Sequence, residues 1–257
     1  MLNKIKSHFS GWKPEHKAMA AHFPSNEEIK SQLVADHCKE HVVVAFYTTD
    51  PIYTNEARRM LASAQRLELK TDITPVKGAG EWVRNASMKA AFLSKQRTFH
   101  RGPMLYVDVD AVFHRNPWPQ LTQLKADIAV YYEKSGRLLA GTIFIADTAE
   151  AQNLLDEWAK RCNASPDIWD QVILEEILAE DALKTNPIYQ IAILPVSFCW
   201  IFDKSDSSNT SEVFIEHLQA SRESCNKKVF FRPMKSRLKR RRDRTLEIEN
   251  ILFSMSD

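Results

Sequence analysis

Met104-Leu105-Tyr106-Val107-Asp108-Val109-Asp110 is the stretch from which the fold is read. Four apolar residues in succession predict a short strand of the kind that a parallel sheet buries on both faces. Two carboxylates close it. One residue apart on an extended chain, Asp108 and Asp110 point to opposite faces unless the backbone turns between them. Bringing carboxylates to the end of a buried strand costs desolvation free energy that a structural role rarely offsets. A hard divalent cation does offset it, because Mg²⁺ or Mn²⁺ takes one or two carboxylates together with the oxygens of a bound phosphate. The alternative is that one Asp caps a helix near Pro117 while the other is solvated.

Working outward, Val42-Val43-Val44-Ala45-Phe46 is a second buried-strand run. It ends in the turn Tyr47-Thr48-Thr49-Asp50-Pro51, ahead of a helix over 55–67. Residues 71–76 predict another strand, and the loop Lys77-Gly78-Ala79-Gly80 precedes a helix over 84–96. After Asp110, a turn through Asn116-Pro117-Trp118-Pro119 leads to a short helix. Strands are predicted at 128–132, 139–145, 188–194 and 213–215, and helices at 149–161 and 169–179. Alternating βα units followed by a mixed region predict an α/β protein, with a Rossmann-type mixed sheet flanked by helices. Residues 1–40, polar and broken at Pro14 and Pro24, read as a helical N-terminal extension. Residues 41–222 read as the main domain, and 223–257 as a basic C-terminal segment.

The 257 residues carry a net charge of +2, which conceals a strong division. From Arg222 to Arg244 eleven Lys and Arg face two acidic residues, so this segment is +9 and the remainder is −7. An acidic body with a basic end points to a polyanionic partner such as nucleic acid, acidic lipid or phosphorylated glycan, or else to a solvated tail. Cys38, Cys162, Cys199 and Cys225 form no CxxC pair and no zinc spacing, and read as thiols of a reducing cytoplasm. Met1 to Trp12 has no apolar leader core, which points away from secretion. The apolar stretch Leu138 to Ala146 is far too short to span a bilayer. With six Gly the chain has neither a dinucleotide fingerprint nor a P-loop.

Ligands of open α/β sheets bind outside the carboxyl ends of the strands, where Tyr47-Thr48, the 77–81 loop and Asp108/Asp110 all fall. The order of these blocks resembles the GT-A fold of nucleotide-sugar glycosyltransferases. The likeness is carried by Phe46-Tyr47-Thr48, by a helix with Trp82, Asn85 and Lys89, and by Tyr106 to Phe113 with its DxD. The segments 139–144, Trp169-Asp170-Gln171 and 216–222 are similar to later blocks of bacterial and phage members, so the resemblance spans 42–222.

The resemblance implies that Asp108 and Asp110 hold Mn²⁺ or Mg²⁺ against the donor diphosphate, with His217 as a third ligand. It also implies a nucleotide-sugar donor, UDP-linked by default. Tyr47 and Thr48 would lie against base and ribose, Lys89 and Asn85 near phosphate, and Gly141-Thr142 where the backbone approaches the donor sugar. Asp170 is the candidate catalytic carboxylate, as acceptor base or as holder of sugar hydroxyls, with Trp169 and Gln171 beside it. Each also has a structural reading: strand-end packing for Tyr47 and Thr48, a surface lysine for Lys89, a bulge for Gly141, a first-turn helix residue for Asp170. The basic residues Lys235, Arg237, Lys239, Arg240, Arg241, Arg242 and Arg244 would grip a polyanionic acceptor. A hydroxymethylated base of double-stranded phage DNA is one such acceptor, reached through phosphate contacts. A cell-surface glycan or lipopolysaccharide is another. Two rivals stand outside this class. Asp108 to Val112 also fits the DxDx[TV] of haloacid-dehalogenase-like phosphatases, although that motif normally ends a domain's first strand. The basic segment alone would suit a non-enzymatic nucleic-acid binder, although no helix-turn-helix, zinc finger or RNP motif accompanies it.

Overall fold

The computed structural model describes residues 41–78, 82–205, 212–224 and 232–254, with the backbone alone for 82–87, 224 and 232–235. The expected N-terminal extension, 1–40, lies outside the described residues, as do Cys38 and Cys225. Strand β1 (Val42–Thr48) pairs in parallel with β2 (Thr71–Val76) on one side and β3 (Met104–Val107) on the other. Beyond β3 the direction reverses. With β4 (Ala111–Phe113) diverted elsewhere, β5 (Ile128–Tyr132) and β6 (Leu138–Ile145) form an antiparallel hairpin whose β6 arm pairs with β3. Strand β7 (Ile191–Ile193) closes the far edge parallel to β5, giving the six-strand order β2-β1-β3-β6-β5-β7. The mixed α/β architecture expected from the sequence is the one observed.

Strand alternation divides the core. Val42, Val44, Met104 and Tyr106 face helices α2 (Trp82–Phe99), α4 (Ala149–Ala164) and α5 (Asp170–Ala182), where Ala90, Leu93, Leu154, Trp158 and Leu174 pack on them. Val43, Ala45, Leu105 and Val107 face α1 (Pro51–Gln65) and the one-turn α3 (Trp118–Leu121) through Ala57, Met60, Ala64 and Leu121. Helix α1 begins four residues before its expected start. Asp50 caps it, accepting from the N–H groups of Ile52 and Tyr53, and Pro51 takes the first helical position.

A second sheet is present that the sequence reading does not anticipate. The three-residue β4 pairs antiparallel with β9 (Ile215–His217), and β8 (Trp200–Ile201) adds in parallel. After the short α6 (Ser221–Ser224), the basic segment forms the long helix α7 (Arg232–Phe253). This corrects the expected alternative of a solvated tail. Leu238, Arg241 and Ile248 share one buried face, and Ile248 and Leu252 pack on Val112 of β4 and Leu218 after β9. Among the described residues no helix is long and apolar enough to cross a membrane.

Candidate active site

The chain turns where β3 ends: the Ala111 N–H donates to the Asp108 carbonyl at 3.0 Å. That turn brings the two carboxylates together instead of leaving them on opposite faces. Pairing of β4 with β9 sets His217 opposite Ala111, and the imidazole Nδ1 comes to 3.8 Å from Asp110 Oδ1. Ligand atoms of Asp108, Asp110 and His217 all lie within 4.8 Å of one another. Two backbone donors hold Asp110: the Leu218 N–H on its carbonyl at 2.8 Å and the Ala220 N–H on Oδ2 at 2.7 Å. Gln219, at a φ of +58°, makes the bend that aims the second donor.

Strand β6 supports the cluster from the other side. Its register against β5 shifts between Val130, opposite Ile143, and Tyr131, opposite Leu139, so Ala140, Gly141 and Thr142 bulge from that ladder. Each touches a different site residue. The Ala140 carbonyl accepts from Lys89 Nζ at 2.9 Å, the Gly141 carbonyl accepts from the Asp108 N–H at 2.8 Å, and Thr142 Oγ1 hydrogen-bonds His217 Nε2 at 2.9 Å. With Nε2 so engaged, Nδ1 is the nitrogen that faces Asp110. Gly141 relieves crowding: a Cβ there would lie 3.0 Å from His217 Cε1 and 3.3 Å from Asp108 Oδ2, and both side chains would have to shift.

Lys89 is buried, not a surface lysine. Its ammonium lies 3.2 Å from Asp108 Oδ1 and 3.1 Å from Asp170 Oδ2, and Tyr106 donates its hydroxyl to Asp108 Oδ1 at 2.7 Å. Asp170 opens α5, and its backbone carbonyl accepts from the buried Trp158 indole at 2.8 Å. Burial opposes a charge on Lys89, yet Asp108 and Asp170 hold its pKa above the ordinary lysine value. Burial raises the Asp108 carboxyl, with Lys89 pulling the other way and Asp110 adding to the rise. Burial also opposes ionisation of Asp110, but His217, the Ala220 N–H and Arg241 hold it below the usual range. Burial disfavours the imidazolium of His217, yet Cys199 and Asp110 push it up to about 10.

A divalent cation taken by Nδ1 would displace the imidazolium proton. That leaves three carboxylates against one ammonium, an excess of two negative charges in a site where Lys89, Asp170 and His217 are buried. A divalent cation matches that excess. The donor set and its charge therefore fit a divalent cation such as Mn²⁺ or Mg²⁺, which Asp108, Asp110 and His217 could hold.

Residues 100–230, half of the chain, match the model of the nucleotide-diphospho-sugar transferase family. The chain belongs to that family. It is a nucleotide-sugar glycosyltransferase, which excludes the phosphatase and the non-enzymatic nucleic-acid binder. Among solved structures it is similar to a glycosyltransferase involved in the glycosylation of the major capsid of PBCV-1, at 9% identity and a TM-score of 0.52, over 69% of this chain and 93% of that one. It is also similar to the glycosyltransferase GlyE of Streptococcus pneumoniae TIGR4, at 15% identity and a TM-score of 0.51, over 85% of this chain and 64% of that one. At such identities the likeness is one of fold. Among curated proteins none matches.

Within this transferase the structure gathers Lys89, Asp108, Asp110, Gly141, Thr142, Asp170 and His217 into one cluster. Tyr47 is half-buried against the apolar core at the end of β1, and the Thr48 hydroxyl donates to Asp50 Oδ2 at 2.6 Å, within the α1 cap. Trp169 is 43% exposed beside Asp170, followed by the half-buried Gln171. The side chains of Asn85 and Lys235 lie outside the described residues.

Of the remaining basic candidates Arg241 and Arg244 are turned onto the protein's own carboxylates, while Arg237, Lys239, Arg240 and Arg242 stay exposed even where they are paired. Arg241 is buried and paired with Glu56 and Glu223. Arg244 forks onto Glu216, Arg242 binds Glu223, Arg240 reaches Asp203, and Lys239 pairs with Asp243, while Arg237 is exposed. Arg241 and Arg244 are thus removed from any nucleic-acid surface in this conformation.

Sequence reasoning missed Tyr106, the Ala140 carbonyl and the Ala220 N–H. Only Tyr106 had a signal, as it stands two residues before Asp108 on the same strand face.

Proposed function

We propose that the protein transfers a sugar from a UDP-linked donor to a glycan hydroxyl, with Mn²⁺ held by Asp108, Asp110 and His217. The single observation that carries this reading is the convergence of those three ligands at the carboxyl end of β3. The imidazole nitrogen in the set favours Mn²⁺ over Mg²⁺, which prefers oxygen alone. When bound, the cation supplies Lewis-acid stabilisation of the departing nucleoside diphosphate.

The chain's own residues do the rest. Lys89 places a fixed positive charge against Asp108 and Asp170 and locks both carboxylates in orientation. Asp170, buried beneath Lys89 and away from bulk water, holds the hydroxyls of the donor sugar. Tyr47 offers the nucleobase an aromatic surface at the end of β1, while Thr48 fixes the loop that follows it. Trp169 supplies an exposed indole on which an acceptor sugar ring can stack next to Asp170. This indole, and the internal pairing of Arg241 and Arg244, support a glycan over DNA as acceptor.

The test is nucleotide diphosphate release from a panel of sugar nucleotides, with Mn²⁺, Mg²⁺ or chelator, against glycan and hydroxymethylated-DNA acceptors. We expect turnover with a UDP-sugar, Mn²⁺ and glycan, its loss in chelator, and none in Asp110→Ala. Full activity of Asp110→Ala overturns the metal reading. Transfer to DNA alone overturns the acceptor reading.

A further inference from the structure

The stretch from Glu216 to Glu223 carries both a metal-ligand candidate, His217, and the Ala220 N–H that orients Asp110. Its two acidic residues are held from outside the triad. Glu216 precedes His217 on β9, so its side chain turns to the opposite side of the strand. It is 2% exposed, and Arg244 of α7 forks onto it, with Nε on Oε1 at 2.8 Å and Nη2 on Oε2 at 2.7 Å. His114, just after β4, adds a contact at 2.6 Å to Oε2. At the other end, Glu223 accepts from Arg241 at 3.2 Å and from Arg242 at 3.1 and 3.0 Å. Arg241 also binds Glu56 of α1, which Arg59 approaches to 2.6 Å, and Arg59 returns to α7 through Glu249 at 2.5 Å. Between these ties Ile248 and Leu252 pack on Val112 and Leu218, close neighbours of Asp110 and His217 along the chain.

We propose that α7 is a brace for the metal-binding loop, in which Arg244 and Arg241 are positioning residues that set His217 and Ala220 against Asp110. The proposal rests on the metal reading above. Strands β4 and β9 are three residues each, and so short a ladder is a weak frame for a ligand set. The bend at Gln219 is held in the left-handed region. A bidentate arginine fixes the direction of its carboxylate as well as its place. Both ends of the loop are tied to one rigid helix, so the ligand geometry follows that helix. These pairs are largely buried, and losing one partner leaves the other charge uncompensated. Arg241 and Arg244 are thereby accounted for without a polyanion.

The experiment uses the full chain and Mn²⁺ alone, following affinity by calorimetry and the bound ion by electron paramagnetic resonance. The variants are Arg244→Gln, Arg244→Lys, Glu216→Gln and, as a control, Lys160→Gln on α4, whose side chain is 80% exposed. Measurements are made where melting curves show each protein folded. Arg244→Gln should weaken Mn²⁺ binding about 10- to 100-fold, as loss of an outer partner of a ligand does. Arg244→Lys should recover part of that, and Lys160→Gln should bind as the parent does. Unchanged Mn²⁺ affinity and spectrum in folded Arg244→Gln overturn the brace; if that variant does not fold, unchanged binding in Glu216→Gln overturns it equally. A parent protein that binds no Mn²⁺ overturns the metal reading itself, an outcome seen before any substitution is made.

Discussion

Gly141 and Gly136 stand five residues apart, one on β6 and one in the turn before it, and they are glycines for different reasons. Gly136 has a φ of +83° and open space around its Cα, so a side chain there strains the backbone alone. Gly141 has ordinary backbone angles, but a methyl group would press on His217 Cε1 at 3.0 Å and Asp108 Oδ2 at 3.3 Å. Gly136→Ala should lower stability by about 1 kcal/mol and leave Mn²⁺ binding alone. Gly141→Ala should weaken Mn²⁺ binding by roughly tenfold or more, as displaced ligands do, with a smaller loss of stability. Thermal melts and Mn²⁺ titrations of the pair decide this, and identical profiles would remove the assignment. Asp170 offers a second contrast. Asp170→Asn keeps the shape but loosens both the pairing with Lys89 and the hold on the donor sugar, so kcat should drop by about 10²-fold with a rise of about tenfold or less in donor KM. A large rise in KM with kcat intact would make Asp170 a donor-binding group only.

Helix α5 ends in a residue that gives the element a pH signature. Asp181 is 1% exposed and accepts from the N–H groups of Ile188 at 3.0 Å and Tyr189 at 3.0 Å and from Lys184 at 2.9 Å. Burial opposes its ionisation, but the Tyr189 N–H, Lys184 and the Ile188 N–H together hold its carboxyl below the ordinary aspartate range. A depressed folded-state pKa contributes stability that is present above the unfolded value, about 4, and lost as pH falls through the folded one. Asp181→Asn should therefore be less stable than the parent by about 1–3 kcal/mol at pH 7. The gap should narrow as pH falls below about 4 in urea titrations, and a gap independent of pH would contradict the assignment. Elements of this length are legible in the sequence because apolar runs and 3.6-residue periodicity are strong signals. The β3 strand and its DxD fall at their expected positions for that reason. Strands β4 and β8 do not announce themselves, since two or three residues carry no period and their pairing is tertiary. His217 enters the metal set by resemblance, but the strand that delivers it, expected over 213–215, lies at 215–217. Its delivery depends on pairing with β4, which residue types alone do not encode.

Across the whole molecule, a +9 segment and a −7 remainder look like a protein waiting for a polyanion. Folding brings the opposite charges together inside one chain. Arg240, Arg241, Arg242 and Arg244 meet Asp203, Glu56, Glu223 and Glu216, none of which adjoins them in sequence. Composition shows the imbalance and cannot show that it closes on itself, because charge counts carry no distance. The two views predict different salt dependence for double-stranded DNA. Were the seven basic residues from Lys235 to Arg244 all on phosphates, log Kobs would fall against log salt with a slope of about −6. With Arg241 and Arg244 held by carboxylates, at most five of the seven can reach phosphates and the slope should be about −4 or shallower. Fluorescence anisotropy of a labelled duplex from low to moderate salt measures it directly. A slope near −6 would mean that α7 leaves the body to bind DNA, and it would restore DNA as acceptor. A shallow slope would mean that Arg241 and Arg244 keep their carboxylate partners when DNA is present, and that the helix stays on the body of the transferase.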